Sequence, residues 1–209
     1  MTGIAEAIGN PWATIWTRPR ATIRRIVETD VRYQVTMLAV LSGALVWLER
    51  RWSNPSTASA FPMLVVIAVV VGAILGVVEL YLNGMLLKWA GSALGGVASY
   101  AEVRAAIAWS RIPVIVALAI GILAILLGTD GPMLGAESSG SGTGLLLLHG
   151  ALVLWGFIVM LKCIGEVHRF SAWRALGSMA LVVAVIAIVV VALIVTFGGL
   201  SRMTSAISL

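Results

Sequence analysis

The chain has 209 residues, of which 60% are hydrophobic and only 11% are charged. Soluble domains carry about 25% charged residues, so this composition excludes a soluble globular protein and predicts an all-α, polytopic membrane helical bundle. The net charge of +5 is assigned to loops near anionic headgroups rather than to nucleic acid, because no basic patch with interleaved aromatic residues lies outside the apolar segments.

Residues 1–30 are predicted to form a cytoplasmic amphipathic segment that precedes a membrane domain of residues 31–209. Apolar side chains recur in this segment at helical spacing, and arginines occupy the other face. The apolar positions are Ile4, Ile8, Trp12, Ile15, Trp16, Ile23, Ile26 and Val27, and the basic ones are Arg20, Arg24 and Arg25. The pattern favours a helix in the membrane interface with its tryptophans at the headgroups. The alternative is that this helix packs beneath the bundle.

Long apolar runs predict about five transmembrane helices. They cover residues 31–48, 62–89, 103–127, 145–164 and 176–197, and Pro113 should kink the third. With this division, eleven Lys and Arg residues lie on the side of the N-terminus and three lie on the other. Because basic residues concentrate in cytoplasmic loops, we expect a multi-pass protein of the cell membrane with a cytoplasmic N-terminus.

The two connections on the cytoplasmic side resemble each other. Each reads L-K-x-x-G, then a serine, then R-A at the start of the next helix, beginning at Leu87 and at Leu161. Ser99 and Glu102 have the spacing of a capping box, and Ser171 is placed to cap the last helix. The candidate loop residues are Lys88, Ser99, Glu102, Arg104, Lys162, Glu166, His168, Ser171 and Arg174. A parallel repeat and a coincidence of capping residues remain equal alternatives.

Three blocks of the sequence carry a family resemblance: NPWATIWTRPRATIRRIVETD, GGVASYAEVRAAIAWSRIP and LKCIGEVHRFSAWRALG. In this order they resemble the bacterial branch of the Yip family, small five-span membrane proteins related to the eukaryotic Ypt/Rab-interacting proteins. The resemblance implies a helical bundle with a cytoplasmic N-terminal region. Eukaryotic relatives bind small GTPases and partner membrane proteins. Their D-L-Y-G-P signature is absent here, which argues against the GTPase role.

One polar group is predicted inside the membrane. Glu79 and Asn83 lie four residues apart in the second span, and Arg111 lies in the third, just before Pro113. An unpaired charge at this depth costs on the order of 2.5–3.5 kcal/mol. We therefore expect Glu79 and Arg111 to lie within salt-bridge or one-water distance. The pair either joins two helices or forms a site for an ion, a proton or a lipid headgroup.

No metal, cofactor or catalytic centre is predicted. Glu166 and His168 point to different sides of a helix and lack a third ligand, and no familiar catalytic motif is present. Cys163 is expected to be a buried thiol, and Gly72-x-x-x-Gly76 is expected to pack within the bundle rather than form a dimer seam.

The favoured function is that of a non-enzymatic membrane protein that binds partner proteins or organises the membrane. The alternative is a small transporter or channel that uses the polar site around Glu79. The expected partners are the lipid bilayer and, beyond it, other membrane proteins or a second copy of the chain.

Overall fold

The computed structural model describes residues 10–52, 61–126 and 140–207, and these residues form helices joined by turns. The helices are α1 (Pro11–Thr17), α2 (Pro19–Asp30), α3 (Val35–Trp52), α4 (Phe61–Ile67), α5 (Ala73–Ala93), α6 (Tyr100–Ser110), α7 (Ile112–Leu126), α8 (Gly140–Val167) and α9 (Ala172–Ile207). A π-helical turn, Ala68–Gly72, joins α4 to α5. The all-α prediction is confirmed for this part of the chain.

Four helical segments in the described residues are long and apolar enough to span a membrane: Val65–Ala93, Tyr100–Ala124, Thr143–Val167 and Ala172–Thr196. They correspond to the second to fifth predicted spans. The predicted first span is α3, an 18-residue helix whose sequence ends in Glu49, Arg50 and two further residues; it is not among the four. The structure therefore supports four spanning helices on length and composition.

The N-terminal helices α1 and α2 pack against the bundle through their apolar faces. Ile15, Ile23 and Ile26 are completely buried in the main core. Trp12 donates from Nε1 to Oε1 of Gln34 at 3.0 Å, and its ring meets the edge of a ring from α6 (Trp109) at 6.0 Å. These contacts support the alternative in which the amphipathic segment packs against the bundle. Ile4 and Ile8 lie outside the described residues.

Local sequence explains where several helices begin and end. Asn10 accepts a hydrogen bond from the backbone N–H of Trp12 and so caps α1, whose first residue is Pro11. The third predicted span is divided into α6 and α7 at Arg111. Because Pro113 lacks a backbone N–H, it cannot complete the helical hydrogen bonds across this point. The kink predicted at Pro113 thus coincides with a break in the helix at Arg111.

Helices α3 and α5 approach each other through glycines. A Cβ atom added to Gly43 would lie 2.2 Å from the carbonyl oxygen of Gly72, and one added to Gly76 would lie 2.2 Å from that of Ala39. Only glycine permits this backbone contact. The π-helical turn ends at the same contact. The prediction that Gly72 and Gly76 pack within the bundle is confirmed.

Candidate functional site

The predicted contact between Glu79 and Arg111 is confirmed. Nη2 of Arg111 donates to Oε1 of Glu79 at 2.6 Å. Nδ2 of Asn83 donates to the same oxygen at 3.3 Å, and Nη1 of Arg111 donates to Oγ of Ser42 at 3.1 Å. The pair thus joins α3 and α5 to the break between α6 and α7. Ser42 was not predicted from the sequence as part of this site, although a hydroxyl side chain within an apolar run indicates a polar contact inside the bundle.

The ion pair lies near the middle of the apolar helices and opens to one side. Glu79 is fourteen residues from each end of the segment Val65–Ala93. The side chain of Arg111 is 17% exposed, whereas that of Glu79 is 52% exposed. The pairing offsets the cost of two isolated charges at this depth. The site is therefore neutralised but remains accessible from the helix surface.

The resemblance between the two connections extends to their backbone geometry. After α5, the N–H of Gly96 donates to the carbonyl of Gly91 at 2.8 Å; after α8, the N–H of Phe170 donates to that of Gly165 at 2.9 Å. The residue before the donor has positive φ in both cases, Gly95 at +84° and its counterpart Arg169 at +59°. This is the Schellman arrangement, used in matching positions of both connections.

The serines after these turns cap helices as predicted. Glu102 donates from its backbone N–H to Oγ of Ser99 at 3.3 Å, and a carboxylate oxygen of Glu102 accepts from the N–H of Ser99. These two bonds complete the capping box. The backbone N–H of Arg174 donates to Oγ of Ser171 at 3.4 Å. Both connections therefore use a Schellman turn followed by a serine cap.

His168 packs between the two connections. Its side chain is 1% exposed, its ring stacks on Phe170 at 5.0 Å, and it lies against the backbones of Gly91 and Gly96, where an added Cβ would collide with it. Its carbonyl accepts from the N–H of Val97 at 3.4 Å. Neither ring nitrogen has a hydrogen-bond partner. Burial lowers the pKa of His168.

The connections therefore lie at the same end of the bundle, and α2 lies there too. Arg24 in α2 pairs with Glu166 in α8 at 2.5 Å. A cavity of about 770 Å³ opens between these elements. Its charged lining residues are Arg20, Arg24, Glu28, Glu102, Glu166 and Arg169. We call it the loop-end cavity; Glu79, Asn83 and Arg111 are not among its lining residues.

The remaining candidate residues lie outside this cavity lining. Arg104 places its guanidinium 4.4 Å from the ring centre of Tyr81. Lys88 donates from Nζ to Oγ of Ser92 at 2.9 Å. Lys162 is half-buried and Arg174 is exposed.

Glu166 and His168 face different partners, Arg24 and the glycine backbone, as their spacing predicted. Cys163 is buried, with Sγ 3.9 Å from the carbonyl oxygen of Pro19. In the part of the chain that the structure describes, no three His, Cys, Asp or Glu side chains are grouped so that they could hold a metal.

Comparison with known families gives one match. The sequence model of the Yip1 domain matches residues 13–194, which is most of the chain. No curated protein sequence and no solved structure matches the chain.

Proposed function

Because the chain belongs to the Yip1 domain family, we propose that this multi-pass membrane protein is a non-enzymatic component of the cell membrane that binds partner proteins or organises the bilayer. Membership of the bacterial branch is part of the proposal and rests on the three sequence blocks. Large apolar side chains are exposed along α5 and α9, for example Leu82, Ile188 and Val195. These faces suit contact with lipid.

The loop-end cavity is the observation that carries the proposal. It brings three arginines and three glutamates from α2, α6, α8 and the α8–α9 connection to one concave surface. Arg20, Arg24 and Glu28 are exposed there. Mixed charges on a concave surface provide both the complementarity and the specificity that a protein partner requires. The positive-inside pattern of the sequence supports a cytoplasmic location for this surface.

We include α3 as a fifth spanning helix in this proposal. Its 18 residues extend for about 27 Å at roughly 1.5 Å per residue, close to the thickness of about 30 Å of a hydrocarbon core. It packs against α5 and α7. An odd number of spans supports termini on opposite sides of the membrane.

Site-specific crosslinking in cells tests partner binding. Photoreactive residues are introduced in place of Arg20 and Glu28, which line the cavity, and in place of Ile188, on the lipid-facing surface of α9. Both cavity positions should capture the same protein, Ile188 should not, and the charge reversal Arg24→Glu should weaken the capture. Capture of the same protein at all three positions, or of none at the cavity, would contradict the proposal.

A small transporter or channel is the second candidate, because Glu79 is 52% exposed and near mid-membrane. A transport role requires that flux depend on this carboxylate. Proteoliposomes with the intact chain are compared with those holding Glu79→Gln and with empty liposomes, using proton and monovalent cation flux as probes. Flux above that of empty liposomes that is lost in Glu79→Gln would favour transport. Equal flux in all three samples would exclude it for these ions.

A further inference from the structure

We propose that the seam between α5 and α6 binds the phosphate of an anionic glycerophospholipid, in the leaflet next to the α5–α6 connection. The site consists of Arg104 and Lys88, each lying on a tyrosine ring, Tyr81 and Tyr100 respectively. This inference goes beyond partner binding, since it concerns different residues on the lipid-facing side of the bundle.

Arg104 is held in a fixed position on this seam. A Cβ atom added to Gly84 would lie 2.7 Å from Cγ of Arg104, so the arginine stem rests directly on the backbone of α5. Its guanidinium then reaches the ring of Tyr81, 4.4 Å from the centroid. A cation–π contact at this distance is favourable, particularly where water is scarce. Because Gly84 has no side chain, Arg104 can lie across α5 with its guanidinium on the exposed ring of Tyr81.

Lys88 is brought to the same seam by the helical periodicity of both elements. In α5, Tyr81, Gly84 and Lys88 follow one another on one face. In α6, Tyr100 and Arg104 are one turn apart and therefore adjacent. Nζ of Lys88 lies 5.5 Å from the ring centre of Tyr100. Two cations and two exposed tyrosines therefore lie along the same seam.

Neither cation is neutralised by the protein. In the part of the chain that the structure describes, neither Arg104 nor Lys88 lies in an ion pair; Glu166 and Glu79 pair with Arg24 and Arg111 instead. The nearby Glu102 is occupied by the capping box of α6. A positive charge at the edge of a low-dielectric phase requires an anion. The seam therefore carries two positive charges that lack an ion-pair partner among the described residues.

The seam lies close enough to the helix ends for its long basic side chains to reach the level of lipid phosphates. Arg104 is four residues from the start of its apolar segment at Tyr100, and Lys88 is five residues from the end of its own at Ala93. At about 1.5 Å per residue both lie roughly 6–8 Å from the helix ends. Tyr100 and Trp89 are about half exposed beside them, as expected of aromatic residues at a membrane interface.

The chemistry favours an anionic headgroup over a zwitterionic one. A guanidinium donates two hydrogen bonds to a phosphate, the ammonium adds a point charge, and the tyrosine hydroxyls add donors. A choline headgroup would place a third cation beside two that are already unpaired. A glycerol headgroup leaves the phosphate charge available. Each basic residue near an anionic surface contributes about 1 kcal/mol.

Native mass spectrometry of the purified full chain tests the site. Phosphatidylglycerol and phosphatidylcholine are titrated separately into detergent solutions of the intact chain and of the double variant Lys88→Gln/Arg104→Gln. The intact chain should bind phosphatidylglycerol more tightly than phosphatidylcholine, and the double variant should lose roughly 10- to 30-fold of that affinity. The matched control is Lys162→Gln/Arg174→Gln, which removes the same charge at the matching positions of the other connection and should keep the affinity.

Three results would overturn the proposal: equal affinity for the two lipids, an equal loss in the control variant, or complete displacement of the lipid by inorganic phosphate. The helical circular dichroism of each variant shows whether it is folded. If the double variant is not folded, Lys88→Arg and Arg104→Lys are used, which keep the charges. These should retain the preference for phosphatidylglycerol, and its loss in both would equally refute the site. Crosslinking at the loop-end cavity is unaffected by either outcome.

Discussion

Arg111, at the break between α6 and α7, and Glu79 in α5 form an ion pair of 2.6 Å although they are 32 positions apart. The same guanidinium also bonds to Ser42 in α3. One side chain thereby joins α3 and α5 to the break between α6 and α7, near the middle of the apolar segments. The pairing offsets the free-energy cost that each charge would have alone in an apolar phase.

Neutralising one member of this pair should destabilise the protein more than neutralising both. Glu79→Gln or Arg111→Gln leaves one charge without its partner, whereas the double variant leaves none. We expect a coupling energy of about 0.6–1.7 kcal/mol in a double-mutant cycle of detergent unfolding. Lys162→Gln combined with Glu79→Gln serves as the control and should be additive. A double variant no more stable than the worse single one would refute the coupling.

The contact between Gly43 and Gly72 should tolerate no side chain. Gly43→Ala would place a methyl group 2.2 Å from the carbonyl oxygen of Gly72, so α3 and α5 must separate, at a cost of about 1–3 kcal/mol. Gly150→Ala in α8 is the control, because nothing lies within 4 Å of an added Cβ there. It should leave stability unchanged or raise it slightly. Thermal unfolding in detergent compares them; equal stability of the two variants would show that the helices do not rely on this approach.

The free energy of unfolding should decrease as the pH falls, because His168 is buried. Burial lowers the pKa of His168, with Lys88 acting in the same direction and Glu102 in the opposite one. The unfolded chain binds the proton more readily, so the stabilisation present above about pH 6.5 is lost as pH decreases. The loss should not exceed roughly 1.4 kcal/mol per pH unit. Unfolding measured between about pH 5 and 7.5 should lose this slope in His168→Leu; a slope equal to that of the intact chain would refute the assignment.

The positive φ of Arg169 should destabilise the folded protein, and a glycine at this position should relieve that strain. At φ +59° an L-residue is disfavoured by about 1–2 kcal/mol, so Arg169→Gly should raise the free energy of unfolding by roughly 1 kcal/mol. Arg169→Ala retains the strain and controls for loss of charge. Gly95→Ala, at φ +84° in open space, should have the opposite sign. Urea unfolding that gives no difference between the glycine and alanine variants at Arg169 would argue against strain.

The orientation in the membrane can be measured by cysteine labelling. We expect Lys88 and Lys162 on the cytoplasmic side, and Ser138 and Arg202 on the outer side. After replacement of Cys163 by serine, single cysteines at these positions are treated in intact cells with a membrane-impermeant maleimide. Positions 138 and 202 should react, and the other two should react only after permeabilisation. The reverse pattern would invert the topology.

The sequence by itself determined the helical class, the interruption near Pro113 and the caps at Ser99 and Ser171. These features depend on a few neighbouring residues, so local chemistry is sufficient to predict them. The proximity of Glu79 and Arg111 was also predictable, because a short connection and similar depth leave two charges few other partners.

Only the tertiary structure decided what the amphipathic segment covers. The sequence specified an apolar face on α2, but lipid and protein offer that face similar surroundings, so the pattern of Ile23 and Ile26 could not distinguish them. Packing against α8 decided it. The same holds for His168 and Arg104, whose surroundings depend on glycines far away in the chain, at Gly91 and Gly84. A side chain that packs on a glycine of another helix leaves no periodicity in the sequence, so this contact is seen only in the packed structure.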